Sequence, residues 1–148
     1  MDILQSQFWI GVFLAIFCGA LIGLERQFKG KPAGIRTSIF ICLGTNIFIS
    51  LGLAHLTATV DSTRVLGQVI TGIGFLGAGV ILSRDGRIHG ITSASTIWIL
   101  AGIGAMIGFA HYLPALIVTL FTLSILISIG FLENRVAFLR KGVHSKKE

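Results

Sequence analysis

The sequence has 148 residues, of which 53% are hydrophobic and 12% charged, and its mean hydropathy is +0.89. A water-soluble core of this size could not enclose so much apolar surface, so a soluble domain is excluded and a bilayer is the fitting solvent. The formal charge of +6 does not point to nucleic acid, because Lys and Arg stand in clusters between long apolar runs.

Residues 1–8 carry Asp2 and no Lys or Arg, unlike the positive start of a secretory signal, so the first apolar run is expected to be kept. Five runs approach the ~17–25 residues that cross the hydrocarbon as a helix: residues 8–24, 37–56, 65–82, 91–109 and 113–132. They predict an all-α membrane protein, one bundle of about five transmembrane helices over residues 1–132 with a basic tail at 133–148. Alternate loops differ in charge. Arg26, Lys29, Lys31 and Arg36 follow the first span, Arg84 and Arg87 the third, and five Lys or Arg the fifth, whereas Arg64 is alone on the other side. By the positive-inside rule the N-terminus is outside, the C-terminus cytoplasmic, and the chain a multi-pass protein of the bacterial inner membrane.

The first span has a small residue at every fourth position, Gly11, Ala15, Gly19 and Gly23. Small residues let backbones approach closely in lipid, so Gly19 and Gly23 are expected at a helix contact. Cys18 and Cys42 lie within apolar runs with no second ligand at metal spacing and read as packing residues. Glu25 closes the first span beside Arg26. The turn Lys31-Pro32-Ala33-Gly34-Ile35-Arg36-Thr37 leads into the second span, where Asn46 sits about 13 Å deep at ~1.5 Å per residue.

The third span is rich in glycine. At ~100° per residue Asp61, Arg64, Gln68, Thr71, Gly72, Phe75 and Gly79 share one side and Gly67, Gly74, Gly77 and Ala78 the other. Polar groups at membrane depth need partners. Asn46 is therefore expected to hydrogen-bond near Gln68 or Thr71, and Asp61 to pair with Arg64 or cap the helix. Asn46, Asp61, Arg64, Gln68 and Thr71 are the candidate ion-path residues, and Asp61 and Glu25 the candidate metal carboxylates. Close packing on both sides would explain Gly72, Gly74, Gly77 and Gly79 and place this helix at the bundle's centre. A broken or re-entrant third span is the alternative. The run Gly72-Ile73-Gly74-Phe75-Leu76-Gly77 matches a dinucleotide-binding spacing but lacks the strand and βαβ setting that motif requires.

The fourth span opens Gly90-Ile91-Thr92-Ser93-Ala94-Ser95-Thr96, whose hydroxyls are expected to cap free N–H groups or, alternatively, to frame an anion site. Trp98 reads as packing. Nothing combines nucleophile, base and orienting group, so no enzyme is expected.

Several of these segments together resemble the MgtC/SapB family of bacterial inner-membrane proteins. The matching stretches are Gly23-Leu24-Glu25-Arg26-Gln27, Lys31 to Thr37 with Cys42-Leu43-Gly44, Asp61 to Leu82, and Gly90-Ile91-Thr92 through Thr96-Ile97-Trp98. Ser38, Ser93 and Ser95 depart from the family pattern. The resemblance implies that Glu25, Arg26, Arg36, Thr37, Thr92, Thr96 and Trp98 are family-like positions at the cytoplasmic side. It also implies a role in magnesium homeostasis or transport, with Mg²⁺ as ligand or substrate, and in pathogens a part in virulence. Many relatives add a cytoplasmic ligand-binding-like domain after the membrane part, where this sequence has its basic tail. The competing expectation is a non-transporting regulator that binds another membrane protein. The lipid bilayer is the sure partner, a homo-oligomer or membrane protein a further one, and no resident cofactor or nucleic acid is expected.

Overall fold

The computed structural model describes residues 6–54, 62–84 and 87–135. Five helices account for nearly all of them: α1 (Ser6–Phe28), α2 (Ile35–Ala54), α3 (Ser62–Gly79), α4 (Ile91–Gly108) and α5 (Tyr112–Arg135). Four of these, α1, α2, α4 and the Tyr112–Leu132 part of α5, are long and apolar enough to cross a membrane. The last helix continues past residue 132, where the tail was expected to begin.

The helices alternate in direction, so the ends rich in Lys and Arg fall together; we call this the basic end and the other the far end. Glycine sets the central contacts. A Cβ at Gly19 would lie 2.7 Å from the Ile39 Cα, and one at Gly23 would lie 2.6 Å from the Ile35 Cα. Both distances are shorter than any side chain tolerates, so α1 and α2 touch backbone to backbone in antiparallel fashion. Gly104 meets the Cys42 carbonyl and the Thr45 side chain, and a Cβ at Gly108 would lie 2.6 Å from the Ile49 Cβ. Because both partners advance together, α2 and α4 run parallel. The core gathers around this three-helix seam from Ala15, Cys18 and Ile22 on α1, Ile41, Cys42 and Ile49 on α2, and Ile97, Leu100, Ile103 and Ile107 on α4. Both cysteines are buried and free.

The connections explain where the helices stop. After α1 the Lys31 N–H donates to the Arg26 carbonyl and the Gly30 N–H to the Gln27 carbonyl, with Gly30 at φ +61°; this is a Schellman stop, which needs a left-handed residue. The same pair of bonds closes α4, from His111 to Met106 and from Ala110 to Ile107, with Ala110 at φ +61°. Alanine there bears a left-handed cost of about 1–2 kcal/mol that glycine would not.

Two expectations for the third span are corrected. The helix ends at Gly79, and a short antiparallel hairpin follows, β1 (Leu82–Arg84) paired with β2 (Arg87–His89) in the register Leu82↔His89. Gly90 then turns into α4 at φ +92°, with its α-carbon against the Val80 carbonyl. Secondly, α3 is not the centre of the bundle. It lies at the edge against α4 and, more loosely, α2, and among its described side chains and glycines only Gly77 is buried. A Cβ at Gly67, Gly72, Gly74 or Gly79 would meet nothing within 4 Å, so packing within this chain does not explain those glycines. The helix does not double back: Leu66 to Ile73 line one crevice with Trp98 to Ala105 of α4, and Gly77 lies by Ala94 nearer that helix's start, so it runs along α4 in the antiparallel sense.

Candidate functional site

Polar groups collect in three places. The first is the basic end of the seam. Glu25 and Arg26, 9% and 3% exposed, close α1 on its inner side. The Glu25 carboxylate lies 2.6 Å from the Lys29 Nζ and 3.6 Å from an Arg26 terminal nitrogen. Neither contact has hydrogen-bond direction, so both carboxylate oxygens are matched in charge but not by an aligned donor. Arg26 also reaches the buried Ser93 Oγ on α4 at 3.5 Å.

Lys29 donates to the Leu126 carbonyl of α5 at 2.8 Å. It can do so because residue 130, one turn on from that carbonyl, is a glycine: a Cβ there would occupy the ammonium's place. Gln27 accepts from the Ile35 N–H at 3.2 Å and holds the start of α2 against the end of α1. The cluster therefore ties α1, α2, α4 and α5 together at one end. One carboxylate and two cations leave it net positive, a setting that disfavours a divalent cation, which seeks an excess of anionic oxygen.

The second place is the far end. Asn46 is 1% exposed on α2, and its Oδ1 accepts from Ser50 at 3.5 Å while its Nδ2 has no partner. Gly11 of α1 leaves room for the amide, since a Cβ there would lie 3.3 Å from its Oδ1. A cavity of about 250 Å³ opens beside it, lined by Gln7, Ser50, Tyr112 and neighbours, and Tyr112 donates to the Gln7 carbonyl at 3.3 Å. The expected bond from Asn46 to Gln68 or Thr71 is not formed. Asn46 instead faces Gly11 of α1 and, with Ile107 and Gly108 of α4, lines that cavity.

The third place is α3. Arg64, Gln68 and Thr71 are all exposed, and Thr71 spends its hydroxyl on the Gly67 carbonyl one turn back at 2.9 Å. The polar line thus points out of the bundle and does not join Asn46. Asp61, with its expected pairing or capping role, lies outside the described residues.

Hydroxyls opening α4 do not cap it. Ser95 and Thr96 bond back to the Ile91 and Thr92 carbonyls at 3.0 and 2.7 Å, and Gly90 supplies no side chain. Thr92 is exposed, as are Arg36 and Thr37 at the start of α2, and Trp98 is half-exposed beside α3. Between α2 and α3 a groove of about 760 Å³ runs from Thr37 and Val80 to Phe48 and Val65. Among the described residues no three of His, Cys, Asp and Glu come together as a metal centre requires.

Sequence reasoning missed Lys29, Gln27, Ser93 and Gly130 as members or neighbours of the basic-end cluster. The i,i+4 spacing of Glu25 and Lys29 was the available signal; Gly130 had none.

A family model for the MgtC family matches residues 12–135. The chain belongs to the MgtC family. Similar proteins include Protein MgtC of Salmonella typhimurium, 38% identical over 121 residues that make up 81% of this chain and 51% of the relative. A second is the putative magnesium transporter YhiD of Escherichia coli K12, 43% identical over 117 residues, 74% of this chain and 54% of that one. Protein SrpB of Synechococcus elongatus is 39% identical over 150 residues, covering 90% of this chain and 82% of its own length. The chain thus spans about half the length of the first two relatives. No solved structure matches it. With its four apolar spanning helices this MgtC-family chain is a multi-pass bacterial membrane protein.

Proposed function

We propose that this MgtC-family protein serves magnesium homeostasis as a membrane regulator, by associating with another membrane protein through α3 and not by conducting ions through its own bundle. The outward polar line on α3 carries this reading. Arg64, Gln68 and Thr71 are exposed on a helix at membrane depth, where uncovered polar groups are costly. Gly67 and Gly74, set on the other side of the helix in the sequence, also face open space and allow close approach of a second backbone. Inside the bundle, the polar groups at the two ends are separated by the apolar seam of Ala15, Cys18, Ile22 and Leu100, and the basic-end carboxylate is already matched by two cations.

A second reading has an observation of its own: the relative named a putative magnesium transporter is 43% identical. In that reading several copies would pool their α3 faces around a shared path, with Asp61 at its outer mouth under the expected orientation. Purified protein in liposomes separates the two. A sealed bundle gives no Mg²⁺ uptake above empty vesicles. Uptake that disappears with Gln68→Ala or Asp61→Ala would favour the pooled path and overturn the regulator. Virulence, if the organism is a pathogen, would follow from either activity.

A further inference from the structure

The groove between α2 and α3 borders the outward polar line of α3 and shares Gln68 with it. At its far end Gly52 of α2 holds Val65 of α3. Gly44 and Gly72 line its two walls, and a Cβ at either would meet nothing within 4 Å, so the groove is open between them. Its lining is almost wholly apolar, and its volume of about 760 Å³ lies within the ~300–1,000 Å³ of ordinary ligand sites.

Charge is confined to one end. Thr37 lines the mouth at the basic end next to exposed Arg36, in the first turn of α2. Val80 is the opposite lip. An apolar trough with a basic rim at one end matches an amphiphile with an anionic head.

We infer that this groove holds one anionic phospholipid of the leaflet at the basic end, its acyl chain between Gly44 and Gly72 and its phosphate at Arg36 and Thr37. Lipid retention is read separately from partner recovery, so the inference can fail while the proposed role of α3 stands.

Native mass spectrometry of the detergent-purified full chain, titrated with phosphatidylglycerol or phosphatidylethanolamine, tests it. We expect one phosphatidylglycerol retained per chain at about tenfold lower lipid concentration than phosphatidylethanolamine. Gly44→Leu and Gly72→Leu place side chains in open space, so both variants should fold with unchanged melting temperature and lose the bound lipid. Arg36→Gln should keep the lipid but erase the headgroup preference. The inference is overturned if the two leucine variants, folded, retain phosphatidylglycerol as the parent does, or if the parent does not distinguish the headgroups. It is equally overturned if filling the groove changes the number of chains per particle and leaves lipid retention unaltered, since the groove would then be a contact between copies.

Discussion

The glycines of α1 and α4 and those of α3 look alike in sequence and have opposite surroundings. Gly19, Gly23, Gly104 and Gly108 stand where a neighbouring backbone or branched side chain occupies the space a Cβ would take. Gly67, Gly72, Gly74 and Gly79 stand where nothing does. In the first set absence of a side chain creates the bundle. In the second it leaves a surface. A helix that exposes glycine together with Arg64, Gln68 and Thr71 is poorly suited to lipid alone, and this contrast supports the partner face proposed for α3.

Substitution breaks the comparison most sharply at the seam. Gly23→Leu or Gly104→Leu drives a side chain into backbone, which costs about 3 kcal/mol or more when a packed core cannot relax; monodisperse folded protein should be lost on size-exclusion chromatography. Glu25→Gln leaves Arg26 and Lys29 buried or half-buried without their counter-charge. About 3 kcal/mol is expected, at the lower edge for breaking a buried pair because Lys29 is 37% exposed, read as a fall in melting temperature in detergent. Gly130→Ala displaces the Lys29 ammonium from the Leu126 carbonyl and should cost about 1 kcal/mol, one hydrogen bond. Gly74→Leu should change stability by less than about 0.5 kcal/mol, as for a surface position, while weakening recovery of any partner held by α3.

Much of the architecture was legible in the sequence because bilayer length and loop charge are strong, local signals: all five apolar runs became helices, and Gly19 and Gly23 lie at a helix contact. The centrality of α3 was not legible. A glycine-rich span is compatible with tight packing inside one chain or with a face kept open for something outside it, and periodicity is the same in both cases. Asn46 failed for a related reason. Depth placed it level with Thr71, but one step of ~100° decides whether a residue faces α3 or α1, and depth says nothing about rotation. The hairpin after α3 was overlooked although the sequence Asp85-Gly86 is a two-residue hairpin signal. At the basic end, Glu25 and Arg26 stood out as charges closing a span, whereas Lys29 reaches α5 through a gap at Gly130 that only the fold creates.

Placement of α3 is the central claim, and a photo-reactive leucine analogue introduced at position 74, with the buried Leu100 position as its counterpart, tests it most directly in intact membranes. The account predicts that the residue at 74 links to a separate chain and that the one at 100 links only within its own chain. Links from position 74 to α1 or α2 within the same chain would put α3 at the centre of the bundle and contradict it.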